Sequence, residues 1–591
     1  MTPLVMLLPI LFAMLLAAFN KRHGQIKYIA FIGSIVSLLL LPAVETGTES
    51  FNWFSINGVT ITVTTAVAPL NYMLLALVAV IAPLVFAYSF GFIDLPSEQK
   101  RFYIELLAFE AAMLTFAMAG DFILLFIAWE FLSMTSYLLI GFWNSRERAV
   151  AAARKAITVV LVGDIALLAS IVVLQNAFGT LVFSSIIGEL GTITFPLSAA
   201  ALIIVAIMSK SAQFPLHEWL PDAMEGPTPV SAFLHSTTMV KSGVFVAIVL
   251  FPVFSAANML GVLMAVGAIT VCVALFNAMR EHHIKRVLAY STVQELGLML
   301  FAIGGGALLA AIYFFFAQSF YKALLFFSSG VAMKANESDK LDDIGGIKQN
   351  RLIYASTAFG VLALAGFIPF DGFFANVGLG SAFSANIAVY VFLSLVGMGT
   401  SFYIFRWFFM QEKKSANARV TLGYASAPRS TTYVMALLAA ATLIASAGFF
   451  LLPGALSSTS YISGGMALLV NNLDVVVETL MAVVGAYVGF RLYRQRRKYL
   501  AKEHAGRGLL GLVYTFNFTN YAYSHMTSFV EVLAEGFAYF DAELNNWFDW
   551  IGHLAMLASG ESRRIAAGNI NTYVAVFVVG VLLLIAAVVI L

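Results

Sequence analysis

A single cysteine, Cys272, stands in a chain of 591 residues. A disulfide framework, a four-thiolate iron–sulfur cluster and a cysteine-rich zinc site are excluded on that ground. Any electron chemistry tied to this chain therefore belongs to other subunits. Charge is equally scarce: 11% of residues are Asp, Glu, Lys or Arg, under half of the roughly 25% carried by soluble domains. A water-soluble globular domain is excluded. The 33 basic and 31 acidic residues leave a net charge of +2, which gives no basic surface for nucleic acid. No phosphate-cradling glycine motif is present either, because the Gly304–Gly306 run lies between apolar stretches without a strand before it.

What fills the chain is apolar: 61% of residues, with a mean hydropathy of +0.90. At roughly 20 apolar residues per crossing, the runs amount to about sixteen membrane spans. The first run, Thr2 to Phe19, is followed by Lys21, Arg22 and Lys27. A cleavable signal has its basic residues in front of the apolar core, so this run is read as the first span. Basic residues then gather in alternate loops: Lys21–Lys27, Lys100–Arg101, Arg146–Lys155, Arg280–Arg286, Lys334–Arg351, Lys413–Arg429 and Arg491–Lys502. The stretches Thr46–Pro69, Asn176–Pro196 and Pro453–Asn472 contain no Lys or Arg. By the positive-inside rule this alternation implies an even number of spans with both termini outside.

Three apolar segments are interrupted by proline, at Pro215 and Pro221, at Pro227 and Pro229, and at Pro369 beside Gly372. Broken backbone at membrane depth must be buried in protein or line a cavity, and in transporters it marks the ion path. Eight ionisable residues fall within or beside the apolar runs: Glu130, Asp164, Lys210, His235, Lys241, Glu295, Lys322 and Asp371. Each costs roughly 2.5–3.5 kcal/mol to insert. Taken singly, any of them could be a structural ion pair, a satisfied core histidine or a helix cap. Eight together, of both signs, form the set a proton relay requires, since burial and a movable counter-charge both act on whether such a group holds its proton. The pair His282–His283 is read as a feature of an interfacial loop rather than a metal site.

The motifs WEFLSMTSYLLIGFW, KSAQFPLHEWLPDAMEGPTPVSAFLHSTTMV, IKRVLAYSTVQELGLM and FYKALLFFSSG resemble the antiporter-like membrane subunits of respiratory complex I, and their relatives in Mrp-type sodium/proton antiporters and membrane-bound hydrogenases. The resemblance covers roughly residues 60–410. It implies an all-α polytopic fold: N-terminal spans in 1–99, two inverted five-helix repeats over 100–252 and 257–411, each with a discontinuous helix, and further spans in 430–502. Residues 503–565, without Lys or Arg between Arg507 and Arg563 and rich in aromatics, look like the lateral amphipathic helix of the distal chain L of complex I. One last span follows at 571–591. By the resemblance, Glu130 and Lys210 match the pair thought central to pumping, Asp164 an acidic partner, His235 a membrane histidine and Lys322 the central lysine of the second repeat. Lys241 in MVKSG looks more like the antiporter and hydrogenase branches.

The pattern also departs from the family. Phe314 and Gln318 stand where two histidines often precede the lysine, and Asn376 in GFFAN replaces an exit-side lysine. Glu295 and Asp371 are extra carboxylates. Set against the resemblance, these residues imply an intact first half-channel and a second one that is either rewired around Glu295, Lys322 and Asp371 or has lost conduction. The function implied is a proton-translocating subunit of a complex I-like oxidoreductase in a prokaryotic cell membrane. No cofactor or metal is expected in this chain; flavin, iron–sulfur clusters and quinone are expected in partner subunits. The partners are other membrane subunits, among them related antiporter-like subunits contacted by the lateral helix, and lipids. An Mrp-type antiporter or hydrogenase subunit and a non-conducting scaffold are the alternative readings.

Overall fold

The computed structural model describes residues 2–18, 23–56, 59–93, 96–413, 418–456 and 472–495. The expected lateral helix and last span, with part of 430–502, lie outside the described residues. Within them the chain is mostly helical, and ten helical stretches are long and apolar enough to cross a membrane. Three shorter apolar helices, Val5–Ala18, Leu197–Lys210 and Arg351–Leu364, join them.

In chain order, α1 (Thr2–Ala18) and α2 (His23–Leu40) lead into a β-hairpin, β1 (Gly47–Ile56) and β2 (Val59–Val67), paired antiparallel from Gly47–Val67 to Ile56–Val59. The expected all-α fold is corrected at this point. The stretch Val59–Val67 reads VTITVTTAV, and β-branched residues in this density favour a pleated strand. α3 (Pro69–Ser89), α4 (Pro96–Ala117), α5 (Phe122–Ile140) and α6 (Glu147–Phe178) follow. Asp121 caps α5 by accepting from the Leu124 amide at 2.7 Å, an N-terminal device that satisfies an otherwise unpaired donor.

The interruptions fall where proline foretold them. α7 (Phe183–Gly188) and α8 (Leu197–Lys210) come next; α8 stops at Lys210, and helix resumes only as the short α9 (Trp219–Asp222). α16 (Arg351–Leu364) stops before Pro369, and α17 (Asp371–Ala382) restarts beyond it. A further break carries no proline: α10 (Thr228–Ser236) and α11 (Met239–Val249) part at Thr237 and Thr238, between His235 and Lys241. Thr238 turns its hydroxyl on the Phe233 carbonyl at 2.7 Å, a side-chain bond that competes with the helical ladder.

The remaining elements are α12 (Phe251–Ala256), α13 (Leu260–Arg280), α14 (Ile284–Gly304), α15 (Leu308–Asn336), α18 (Ile387–Gln411), α19 (Ala418–Ala425), α20 (Arg429–Ala455) and α21 (Asn472–Gly489). α6 packs along α8, α13 along α14, and α18 along α21. Small residues set these approaches. A Cβ on Gly163 of α6 would stand 2.5 Å from the Ser209 Cβ of α8, so only glycine lets the two backbones come this close. α10, α11, α14 and α15 are the interior of the bundle, with Thr228–Val249, Ile284–Gly304 and Leu308–Asn336 each close to nine-tenths buried. By contrast α5 and α6 carry exposed apolar stripes, Ile127, Phe131, Met134 and Leu138 on one, Leu161, Ile165, Leu168 and Val172 on the other. At i, i+3, i+4 spacing these stripes are the faces turned to lipid or to another subunit.

Candidate functional site

The first cluster is built by three helices. On α5, Trp129 and Ser133 lie one turn apart and point at Asp164 of α6: the Trp129 indole N–H donates to its Oδ1 at 2.6 Å and the Ser133 hydroxyl to its Oδ2 at 3.0 Å. Lys210, the last residue of α8, reaches the same place. Its ammonium donates to the Trp129 carbonyl at 2.9 Å and to the Ser133 hydroxyl, and lies 3.6 Å from Asp164 Oδ1. It also sits 4.6 Å from the centre of the Trp129 ring, within cation–π range. Lys210 is fully buried and Asp164 nearly so. The lysine's immediate partner is thus Asp164. Glu130 is only half-buried at the edge of the exposed α5 stripe, and it forms no ion pair among the described residues.

A second cluster stands on one face of α15, where Phe315, Gln318, Ser319 and Lys322 recur at helical spacing. Lys322 is 2.8 Å from Glu295 Oε2 on α14 and donates to the Ser291 hydroxyl. Gln318 donates to the same Glu295 oxygen at 3.0 Å, and the Tyr321 hydroxyl to Oε1 at 3.0 Å. Tyr403 of α18 closes the shell, donating to Ser291 at 2.8 Å and Gln294 at 3.0 Å. Gln318, noted as a departure, is therefore a donor to the Glu295 carboxylate. Lys241 of α11 joins this cluster from the other side, donating to the Phe315 carbonyl and to Ser319 Oγ at 2.5 Å. Asp371, fully buried at the start of α17, accepts from the Gly372 amide through Oδ1 at 2.9 Å, while its Oδ2 has no hydrogen-bond partner among the described residues. Asn376 lies one turn further along α17, its amide against Gly366.

Between the clusters stands His235, fully buried between Trp219 and Phe326, with ring centres 6.5 and 6.0 Å away. Neither of its ring nitrogens has a partner among the described residues. Uncommitted nitrogens leave an imidazole free to accept or donate in either sense.

Lys285 is a correction to the charge reading. Counted with the topology-setting loop residues, it is buried, and its ammonium donates to the Gly226 carbonyl at 2.8 Å and to Ser231 at 3.3 Å, one turn before His235. It lines a cleft of about 540 Å³ together with Arg146, Glu225, His283, Lys334 and Asp339. Burial and the Lys285 ammonium push the His283 imidazole down to about 4. The pair His282–His283 faces carboxylates, Asp342 at 3.1 Å and Asp339 at 3.4 Å. No group of three or more His, Cys, Asp or Glu suited to a metal ion occurs among the described residues.

Other ionisable residues escaped notice in the sequence. Glu110 of α4 is fully buried and accepts from Ser34 at 3.0 Å. Asp474 and Glu478 of α21 are buried against α17 and α18. Arg406 of α18 donates to the Met279 carbonyl at 2.6 Å and to those of Ala278 and Glu281, closing the C-terminus of α13 where carbonyls would otherwise lack donors.

Clusters of buried acids and bases in a membrane bundle can hold and pass protons. Residues 119–404 match the family described as NADH:quinone oxidoreductase/Mrp antiporter, transmembrane. NAD(P)H-quinone oxidoreductase chain 5 of a Picosynechococcus species is 34% identical over 69% of this chain and 67% of its own length. F(420)H(2) dehydrogenase subunit L of Methanosarcina mazei is 28% identical over 93% of this chain and 90% of its own. The solved Mrp complex of a Dietzia species includes a chain that superposes with a TM-score of 0.74 at 22% identity, over all of this chain and 63% of that one. Against the first chloroplast and cyanobacterial-type relatives the chain spans 59–66% of their length. The chain belongs to the NADH:quinone oxidoreductase/Mrp antiporter family of membrane subunits.

Proposed function

We propose that this chain is a proton-translocating membrane subunit of a redox-driven, complex I-like assembly. The observation that carries the reading is the buried Lys210–Asp164 pair at the end of a broken helix, with a second pair, Lys322–Glu295, deeper in the bundle. Each pair carries a desolvation cost that apolar residues of similar size would avoid, which favours a functional over a purely structural role. Lys285, Ser231 and His235 supply a path from the charged cleft on the basic-loop side. Lys241 and Ser319 link the centre to the second pair, and Asp371 receives beyond it. Glu130, beside an exposed apolar stripe, is suited to sense a neighbouring subunit's charge.

The finer architecture belongs to the same proposal: two inverted repeats, 100–252 and 257–411, each holding a proline-interrupted helix; both termini on the outer side of a prokaryotic cell membrane; and a lateral helix over 503–565 lying along related subunits. Partner subunits would carry the flavin, iron–sulfur and quinone chemistry, and this chain would convert their free energy into ion movement. Purification with native partners tests this. Redox subunits should co-purify and electron donor should drive proton uptake into inverted vesicles.

A second reading, a sodium/proton antiporter subunit, is favoured by Lys241 in its MVKSG context and by Asn376 in place of lysine. Sodium flux after a pH jump without electron donor would support it. Assembly with unaltered ion flux after loss of the buried charges would leave only a scaffold.

A further inference from the structure

The second relay ends on an unusual note. Asp371 opens α17, but the next polar position along it, Asn376, cannot carry a proton as a lysine would. One turn beyond Asn376, at Gly380, the side chain that meets α17 comes from a different helix. A Cβ built on Gly380 would stand 3.5 Å from Glu478 Oε1, and one built on Gly397 of α18 would stand 3.2 Å from Glu478 Oε2. The carboxylate of Glu478 is thus seated between two glycine backbones, with the Ser394 hydroxyl donating to its Oε1 at 3.2 Å. Glu478 is 5% exposed and Asp474, one turn earlier on the same face, 2%. No Lys or Arg pairs with either among the described residues, so two buried acids stand side by side without a cation.

Two further atoms point into this cluster without being committed to it. Asp474 Oδ2 is buried with no hydrogen-bond partner among the described residues. The hydroxyl of Tyr390, a residue 9% exposed near the start of α18, lies beside Asp474 without a well-aligned hydrogen bond to it or to any other described group. Buried polar atoms left without a protein partner are ordinarily satisfied by ordered water, or mark a functional site. Polarity gives the direction. α16 begins at Arg351 and α18 ends at Gln411, next to Lys413, on the basic-loop side; α17 ends, and α18 and α21 begin, at the opposite end. Glu478 lies about 9 Å inside the start of α21 at 1.5 Å per residue, and Asp474 about 3 Å inside it.

We propose that Glu478, Asp474 and Tyr390 form the proton-release relay of the second half of the molecule, taking over from the position held by Asn376. The proposal rests on the proton-translocating function inferred above. A proton leaving the Glu295–Lys322–Asp371 group crosses, by way of water, the roughly 14 Å of α17 that separate Asp371 from Gly380, is bound by the Glu478 carboxylate, passes to the Asp474 carboxylate with the Tyr390 hydroxyl as bridge, and leaves to water on the side away from the basic loops. No electron moves and no covalent bond outside the O–H bonds changes. The alternative occupant of two bare carboxylates, a sodium ion, is an outcome of the test.

The experiment measures protons moved per electron pair in inverted vesicles carrying the native assembly, for Glu478→Gln, Glu478→Asp, Asp474→Asn and, as reference, Lys210→Ala. Glu478→Gln keeps the acceptor for Ser394 but cannot ionise; it should lower the stoichiometry by at least one-quarter with the assembly intact. Glu478→Asp should restore more than half of that loss, and Asp474→Asn should fall between. A stoichiometry unchanged in Glu478→Gln while Lys210→Ala abolishes pumping overturns this inference and leaves the function standing. Full pumping in Lys210→Ala overturns the function itself. Loss of assembly in Glu478→Gln, or sodium-dependent activity abolished by it, also overturns the proton-release role, in favour of a structural carboxylate or a sodium site respectively.

Discussion

Lys210 and Asp164 are held by the same two α5 side chains, Trp129 and Ser133, so removal of either charge leaves the other buried with its donors or acceptors half used. Breaking a buried pair from one side costs roughly 3–5 kcal/mol. Lys210→Met should therefore lower the melting temperature of the purified assembly markedly. The double variant Lys210→Met with Asp164→Asn should recover most of that stability and none of the pumping. A double variant as unstable as the single one would mean that the two residues do not share one electrostatic site. In the second cluster, Glu295→Gln keeps acceptor geometry for Tyr321 and removes the counter-charge of Lys322; proton stoichiometry should fall, and an unchanged value would remove Glu295 from the path. At the cleft, His283 is neutral at physiological pH. Its folded value lies below the free imidazole's, so the neutral, buried form contributes stability that is present above about pH 6.5 and lost as pH falls towards about 4. His283→Gln should flatten the melting temperature against pH in that window. Most of these residues were legible as isolated charges in apolar runs. Their partners were not: Glu130 and Asp164 are equally plausible neighbours for Lys210 along the chain, and only the α5–α6–α8 packing selects Asp164. Lys285 was hidden because a lysine beside Arg286 and two histidines looks like any loop cation.

Helix ends position the chemistry. Lys210 ends α8, Asp371 begins α17, and His235 and Lys241 flank the α10–α11 break. Proline and glycine announced the first two breaks, since proline lacks an amide donor and crowds the carbonyl one turn before it. The third was invisible because threonine is tolerated in helices and breaks them only when its hydroxyl finds a carbonyl, as Thr238 does with Phe233. The hairpin after α2 is hidden for a related reason: a stretch without Lys or Arg between apolar runs reads as a connection, although its β-branched residues favour strand. Helix approach is equally decisive. Gly163 adjoins Asp164 and has Ser209 against it, so Gly163→Ala should push α6 from α8. An overpacked contact of this kind costs about 1–3 kcal/mol, and here it should also lengthen the Asp164–Lys210 gap and lower pumping. Stability loss with pumping per assembled complex unchanged would show that this distance does not limit transfer. Asp474 and Glu478 escaped because acids in the first turns of a helix are ordinarily capping groups favoured by the helix dipole.

Along the sequence, seven basic stretches alternate with stretches free of Lys and Arg, and most of the buried charges lie between them. The cleft at Lys285 is proposed to take up protons from the basic side, with the β1–β2 hairpin on the opposite face. With Cys272 replaced by serine, a cysteine at Glu49 in the hairpin should react with an impermeant thiol reagent only from outside intact cells. One at Ser338, beside the cleft, should react only in inverted vesicles. Labelling of both from the same side would reverse the path. The test closest to the central claim is the proton-to-electron ratio of the native assembly carrying Lys210→Ala, measured with electron transfer recorded in the same vesicles. Electron transfer should persist at a reduced rate while proton uptake through this chain disappears and the ratio falls. An unchanged ratio at full assembly would contradict the claim that the buried Lys210–Asp164 pair carries protons.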